Sequence, residues 1–125
     1  MEFTRTFGHS LAAPSMARSS LDRLAQTISP DELDDVRLIV SELVTNSVKH
    51  AGLHSGDRIR MTVDVSPSRL RVEVTDPGGG FPAGPHQVYA QHGRGLAIVD
   101  HLAECWGSES GDETTVWAEM SLRDG

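Results

Sequence analysis

The sequence has a single cysteine, Cys105, so no internal disulfide can form and no second thiol is available for a metal cluster. Aromatic residues make up only 5% of the chain. No apolar run approaches the ~20 residues needed to span a bilayer. Basic residues are in deficit: 11 Lys and Arg stand against 18 Asp and Glu, for a net charge of −7. That balance argues against a broad electrostatic grip on nucleic acid. It leaves room for a nucleotide, because backbone N–H groups and a bound metal ion can hold phosphates without many Lys or Arg. The opening residues, MEFTRTFGHSLAAPSMARSS, are broken by charge and polarity and lack a signal-peptide core. The expectation is a cytoplasmic protein that contacts neither membrane nor nucleic acid directly. At 125 residues, 38% apolar and 23% charged, it is expected to form one domain, residues 1–125, with a core of its own.

What is present is organised around SELVTNSVKHAG, Ser41 to Gly52, and its lead-in DDVRLIV. Val36, Ile39, Val40, Leu43, Val44 and Val48 recur at helical spacing. Glu42 and Asn46 lie one turn apart along such a helix and about 40° apart around it, with Lys49 close to the same stripe. Ahead of it, Ser29-Pro30-Asp31-Glu32 supplies a cap, a first-turn proline and acids suited to the helix dipole, and Gly52 is a stop signal. The acidic run Asp31, Glu32, Asp34 and Asp35 reads first as that N-terminal preference, and second as a partner-facing patch.

The remaining elements follow from periodicity. Residues 1–7 read as a short edge strand, with Phe3 and Phe7 sharing a face if one residue between them is tolerated. A first helix is expected from Pro14 to Ile28. Arg58 to Ser66 and Leu70 to Asp76 alternate polar and apolar and form a hairpin with one wet face. Leu96 to Leu102 has the apolar density of a buried helix, entered through Gly93-Arg94-Gly95. Trp106 to Ser110 and Thr114 to Leu122 read as closing strands. This order predicts an α/β (α+β) two-layer sandwich, a mixed β-sheet with helices on one face and the other face open.

Three elements carry chemistry. Asn46 is a poor helix former, yet its carbonyl oxygen is a hard ligand suited to Mg²⁺, and Glu42 could orient or deprotonate an attacking group beside the metal. Asp76-Pro77-Gly78-Gly79-Gly80 follows a strand. It is either a glycine-rich turn with a local Asp cap, or a site where a flat ligand approaches the backbone and a carboxylate accepts from an adenine N–H₂. Gly93-Arg94-Gly95 opens a helix whose free N–H groups could hold phosphate. It is neither a Rossmann fingerprint nor a P-loop, for no strand feeds it and no Gly-Lys-Ser/Thr follows.

In this order the motifs resemble the GHKL ATPase superfamily, which includes gyrase-type topoisomerases, a heat-shock chaperone, histidine kinases and mismatch-repair ATPases. ELVTNSVKHA resembles its N box, DPGGGF its G1 box and GRGLAIV its G2 box, while TTVWAEM is similar to the closing strand. The likeness covers about residues 35 to 122 and implies the Bergerat ATP-binding fold. It would give Asn46 the Mg²⁺, Glu42 the catalytic-base position, Asp76 the adenine amine, and Gly78 and Gly80 the close approach. Gly93 and Gly95, with Leu96 behind them, would meet the phosphates, Arg94 and Lys49 would be their neighbours, and Thr115 would lie beside the adenine. NSVKHAG and the short segment between the two glycine boxes look most like the bacterial anti-sigma factor serine/threonine kinases, with a closing strand of actinobacterial type. Members of that branch hold a sigma factor or phosphorylate an anti-anti-sigma (STAS-type) antagonist, and the resemblance also suggests a homodimer. One departure concerns phosphotransfer more than ATP binding: Gln91-His92 stand where kinases of the branch tend to carry a basic residue, and Arg94 lies between the glycines instead. The alternative expectation is a nucleotide-binding interaction module that uses ATP only to order the segment 81–92.

Overall fold

The computed structural model describes residues 1–50, 57–77 and 93–123. Its elements are β1 (Glu2–Gly8), α1 (Ala13–Ser20), a 3₁₀ turn (Leu21–Leu24), α2 (Pro30–His50), β2 (Arg58–Val65), β3 (Arg69–Asp76), α3 (Gly93–Leu102), β4 (Cys105–Ser110) and β5 (Thr114–Ser121). The strands form a 5-stranded sheet in the order β1-β2-β3-β5-β4.

Alternation determines which face each strand buries. Ile59, Met61, Val63 and Val65 of β2, Leu70, Val72 and Val74 of β3, and Val116, Ala118 and Met120 of β5 all turn inward. The helices cover that face, with α2 against β3 and β5, α1 against β1, and α3 against β4. The α+β two-layer expectation therefore holds. The sheet is not mixed, however: every pairing among the described strands is antiparallel. The reason lies in β5, which inserts between β3 and β4, so that β4 meets its neighbour through a short hairpin rather than beside β3 in parallel.

The first helix is shorter than periodicity suggested. It ends at Ser20, whose Oγ donates to the Ala17 carbonyl at 2.7 Å, and the chain tightens into the 3₁₀ turn. Leu21 and Leu24 fall on one side of that turn at its natural repeat, and both are fully buried. By contrast, α2 begins at the proline expected to open it. Ser29 Oγ accepts from the Glu32 N–H at 3.1 Å, and the Glu32 carboxylate accepts from the Ser29 N–H at 3.0 Å. This is a reciprocal capping box, in which two otherwise orphaned donors are satisfied. The Ser29 backbone N–H is the main reason the Glu32 carboxyl sits below the usual range.

Candidate functional site

Helix α2 carries the apolar stripe Val36, Ile39, Val40, Leu43 and Val44 onto the sheet. One further turn on the same side brings Ser47, with Asn46 beside it. Both are buried, at 4% and 7% exposure. Glu42, one turn earlier, is half-buried, and Lys49 is exposed.

Opposite them, β3 ends at Asp76, which shares the inward parity of Leu70, Val72 and Val74 and is 3% exposed. Ser47 Oγ donates to Asp76 Oδ2 at 2.6 Å. A carboxylate taken out of water needs such partners, and a bond to a charged acceptor is stronger than a neutral one. The bond ties the last turns of α2 to the end of β3 and fixes how the carboxylate is presented. Asn46 is in a different condition: its Nδ2 is buried without a hydrogen-bond partner among the described residues. A buried unsatisfied donor costs about 1–3 kcal/mol, and one of the reasons a fold retains it is an acceptor that arrives later.

The closing strand places its two threonines on opposite faces. Asp76 pairs in register with Thr114, and Thr75 with Thr115. Thr114 therefore shares the inward face with Asp76 and is 2% exposed. Thr115 stands on the other face, its Oγ1 2.8 Å from that of Thr75. Thr115 thus stands on the face opposite Asp76, and Thr114 is the threonine in register with it. Sequence reasoning missed Thr114 and Ser47. For Thr114 the signal was parity, since it matches Val116, Ala118 and Met120. Ser47 occupies the position after Leu43 and Val44 where the apolar stripe calls for a hydrophobe.

The glycine-flanked segment Gly93-Arg94-Gly95 forms the first turn of α3. Leu96 behind it is 1% exposed, so its side chain belongs to the core. Helices α2 and α3 pack antiparallel. Asp35, early in α2, lies near His101, late in α3. Leu38 shares a groove with Ala97 and Ile98. Followed along its axis, α3 directs its first turn toward the Asn46 end of α2. Gly78, Gly80 and the segment 81–92 lie outside the described residues. Among the described residues no group of three or more His, Cys, Asp and Glu side chains is placed to hold a metal ion.

The α2 end with its buried carboxamide, the strand-end carboxylate held by a serine, and the glycine-opened helix stand on an antiparallel α+β frame. Residues 9–120 match the histidine kinase-like ATPase domain, and the chain belongs to that family. It is similar to an uncharacterised protein of Streptomyces coelicolor, 38% identical over 84 residues that cover 64% of this chain and 79% of the relative. The anti-sigma F factor of Pasteuria penetrans is 28% identical over 115 residues, 83% of this chain and 75% of that protein. The serine-protein kinase RsbW of Listeria innocua is 31% identical over 107 residues, 72% of this chain and 68% of that protein. The GHKL-like resemblance, on its anti-sigma kinase-like branch, therefore holds.

Proposed function

We propose that this chain is an ATP-binding, anti-sigma-type regulator that phosphorylates a serine or threonine of an antagonist protein. The observation that carries the nucleotide reading is the pairing of a satisfied and an unsatisfied group in one place. The Asp76 carboxylate is oriented by Ser47, while Asn46 Nδ2 is buried with no acceptor among the described residues. The donor set fits an adenine nucleotide with Mg²⁺: a carboxylate for an exocyclic amine, a carboxamide oxygen for a hard cation, and N–H groups at a helix start for phosphate. Bound Mg²⁺ would supply charge neutralisation on the phosphates. Thr114, in register with Asp76, would close the adenine side, and the α3 first turn, Gly93 to Gly95, would hold the γ-phosphate.

In this reading Glu42, half-buried one turn before Asn46, acts as base. It takes the proton from the acceptor hydroxyl as that oxygen bonds to the γ-phosphorus and the bond to the departing ADP breaks. The names of the relatives, anti-sigma F factor and serine-protein kinase RsbW, support a sigma factor and an anti-anti-sigma protein as the partners. Such a regulator would act in the cytoplasm.

Gln91-His92, in place of a basic residue before Gly93, favours a second reading: a nucleotide-binding module that grips its partner without phosphotransfer. Incubation with γ-labelled ATP, Mg²⁺ and candidate antagonists discriminates the two. Label transfer lost in Glu42→Ala, with ATP binding kept, supports the kinase. ATP binding with no transfer to any antagonist supports the module, and no ATP binding overturns both.

A further inference from the structure

The far end of α2, away from Asn46, carries a surface that the nucleotide reading does not use. Leu38 is 47% exposed on the outer side of α2. It lines a groove with Ala97, Ile98, His101 and Leu102 of α3 whose walls are almost wholly apolar. Leu102 also lines the adjoining cleft of about 620 Å³, together with Asp31, Glu32, Asp35 and Glu104. The apolar groove and the acidic cleft therefore meet at Leu102.

The acids in that cleft differ in how they are occupied. Glu32 is engaged by the Ser29 and Arg123 backbone N–H groups, at 3.0 and 2.8 Å. Glu104 is paired with Arg69 at 3.0 Å and accepts from Ser121. Asp31 and Asp35 form no ion pair among the described residues. Burial, and then Asp31, Asp34 and Glu32 beside it, push the Asp35 carboxyl above the usual range. Among the described residues Arg123 is the one arginine or lysine lining the cleft. Carboxylates crowded in this way gain when a cation arrives, and an exposed leucine over an apolar floor gains when covered.

We infer that the α2–α3 groove docks a basic amphipathic helix of a partner protein, its apolar side chains on Leu38 and Ile98 and an Arg or Lys in the Asp31–Asp35 cleft. A groove between two antiparallel helices takes a third helix by the same ridge-and-groove packing that joins the two. The spacing is specific. Leu38 and Asp31 are about 10 Å apart along α2, so the cation on the partner helix must sit about two turns from its apolar contacts. Leu38 is about 12 Å from Asn46 on the same scale, so this surface stands apart from the nucleotide cleft and does not depend on it.

The test uses the whole chain and labelled synthetic peptides of about 18 residues, followed by fluorescence anisotropy. The probe carries leucines at helical spacing and arginines two turns away. One control scrambles its order, and another replaces each Arg by Glu. The docking surface requires that the probe bind at least about tenfold tighter than either control, with the preference lost in Leu38→Ser. It further requires that Asp31→Asn with Asp35→Asn weaken the Arg probe alone, by about fivefold, and flatten its salt dependence. Both positions are surface-accessible, and circular dichroism verifies that each variant folds. Equal binding of probe and scramble, or binding indifferent to Leu38→Ser, overturns the inference. So does a self-association of the chain that Leu38→Ser abolishes, since a second copy would then be the occupant.

Discussion

The two faces of the sheet treat charge in opposite ways. On the open face, Arg69, Arg71, Glu73, Glu104 and Glu119 close on one another. Glu119 accepts from both arginines at 2.8 Å, Arg71 also reaches Glu73 at 2.8 Å, and its guanidinium lies 4.5 Å from the Trp117 ring centroid. Every member has a partner, and all are partly or well exposed. On the helix-covered face polar groups are few and buried, and they gather where α2 meets the ends of β3 and β5. There Ser47 and Asp76 satisfy each other, while Asn46 keeps a donor without an acceptor among the described residues. A network complete within the chain is scaffold, whereas a buried group left incomplete is where a ligand has something to add.

The strongest way to break that contrast is Asp76→Asn. The substitution keeps shape and lets Ser47 donate still, but it puts an N–H₂ where an acceptor should meet the adenine amine. Affinity for ATP should fall by about 2 kcal/mol or more, and discrimination against GTP should relax. Calorimetric titration with both nucleotides is the check. Unchanged affinity and selectivity would remove Asp76 from the site and leave its bond to Ser47 as a purely structural tie.

Asn46→Ala sharpens the same contrast by separating binding from stability. Removing a satisfied buried group destabilises a protein, but this donor is unsatisfied, and alanine is the better helix former. Without nucleotide the variant should be at least as stable as the parent, by up to about 1 kcal/mol in urea unfolding. The stabilisation conferred by ATP with Mg²⁺ should disappear. A variant less stable in the absence of nucleotide, yet still responsive to Mg²⁺-ATP, would mean that Asn46 is ordinary packing.

Much of this was legible in the chain. Pro30 as the first residue of α2, the strands at 58–65 and 69–76, and the inward stripe from Val36 to Val44 follow from capping and periodicity, which are local. What needed coordinates was whatever depends on pairing. Alternation names the buried face of a strand but not its neighbour or direction, so the insertion of β5 between β3 and β4 could not be read. A threonine doublet at a strand start is the hardest case. A slip of one residue exchanges the faces, and only the pairing of Asp76 with Thr114 decides between Thr114 and Thr115. Ser47 could not be singled out either, because nothing in the sequence says that a carboxylate 29 positions on will face it.

That doublet supplies the next test. Thr114→Val should weaken ATP by about tenfold, because its side chain shares the face of Asp76. Thr115→Val should leave nucleotide affinity alone and cost about 1 kcal/mol of stability or less, the worth of its bond to Thr75. The reverse result would mean that the ligand approaches from the open face of the sheet.

The smallest effect belongs to the open face itself. Glu119 is held below the usual carboxyl range chiefly by its hydrogen bond from Arg71. A carboxyl lower in the folded than in the unfolded chain contributes stability that is fully present above the unfolded value near 4.5 and fades as pH falls through the folded one. Glu119→Gln should therefore cost about 1 kcal/mol or less near neutral pH, shrinking in high salt and vanishing as the medium becomes acidic enough to protonate the parent. Nucleotide affinity should not move at any pH where the protein is folded. Denaturant midpoints across pH and ionic strength measure the first part, and ATP titration the second. A loss of ATP binding in this variant would join the two faces energetically and undo the distinction between scaffold and site.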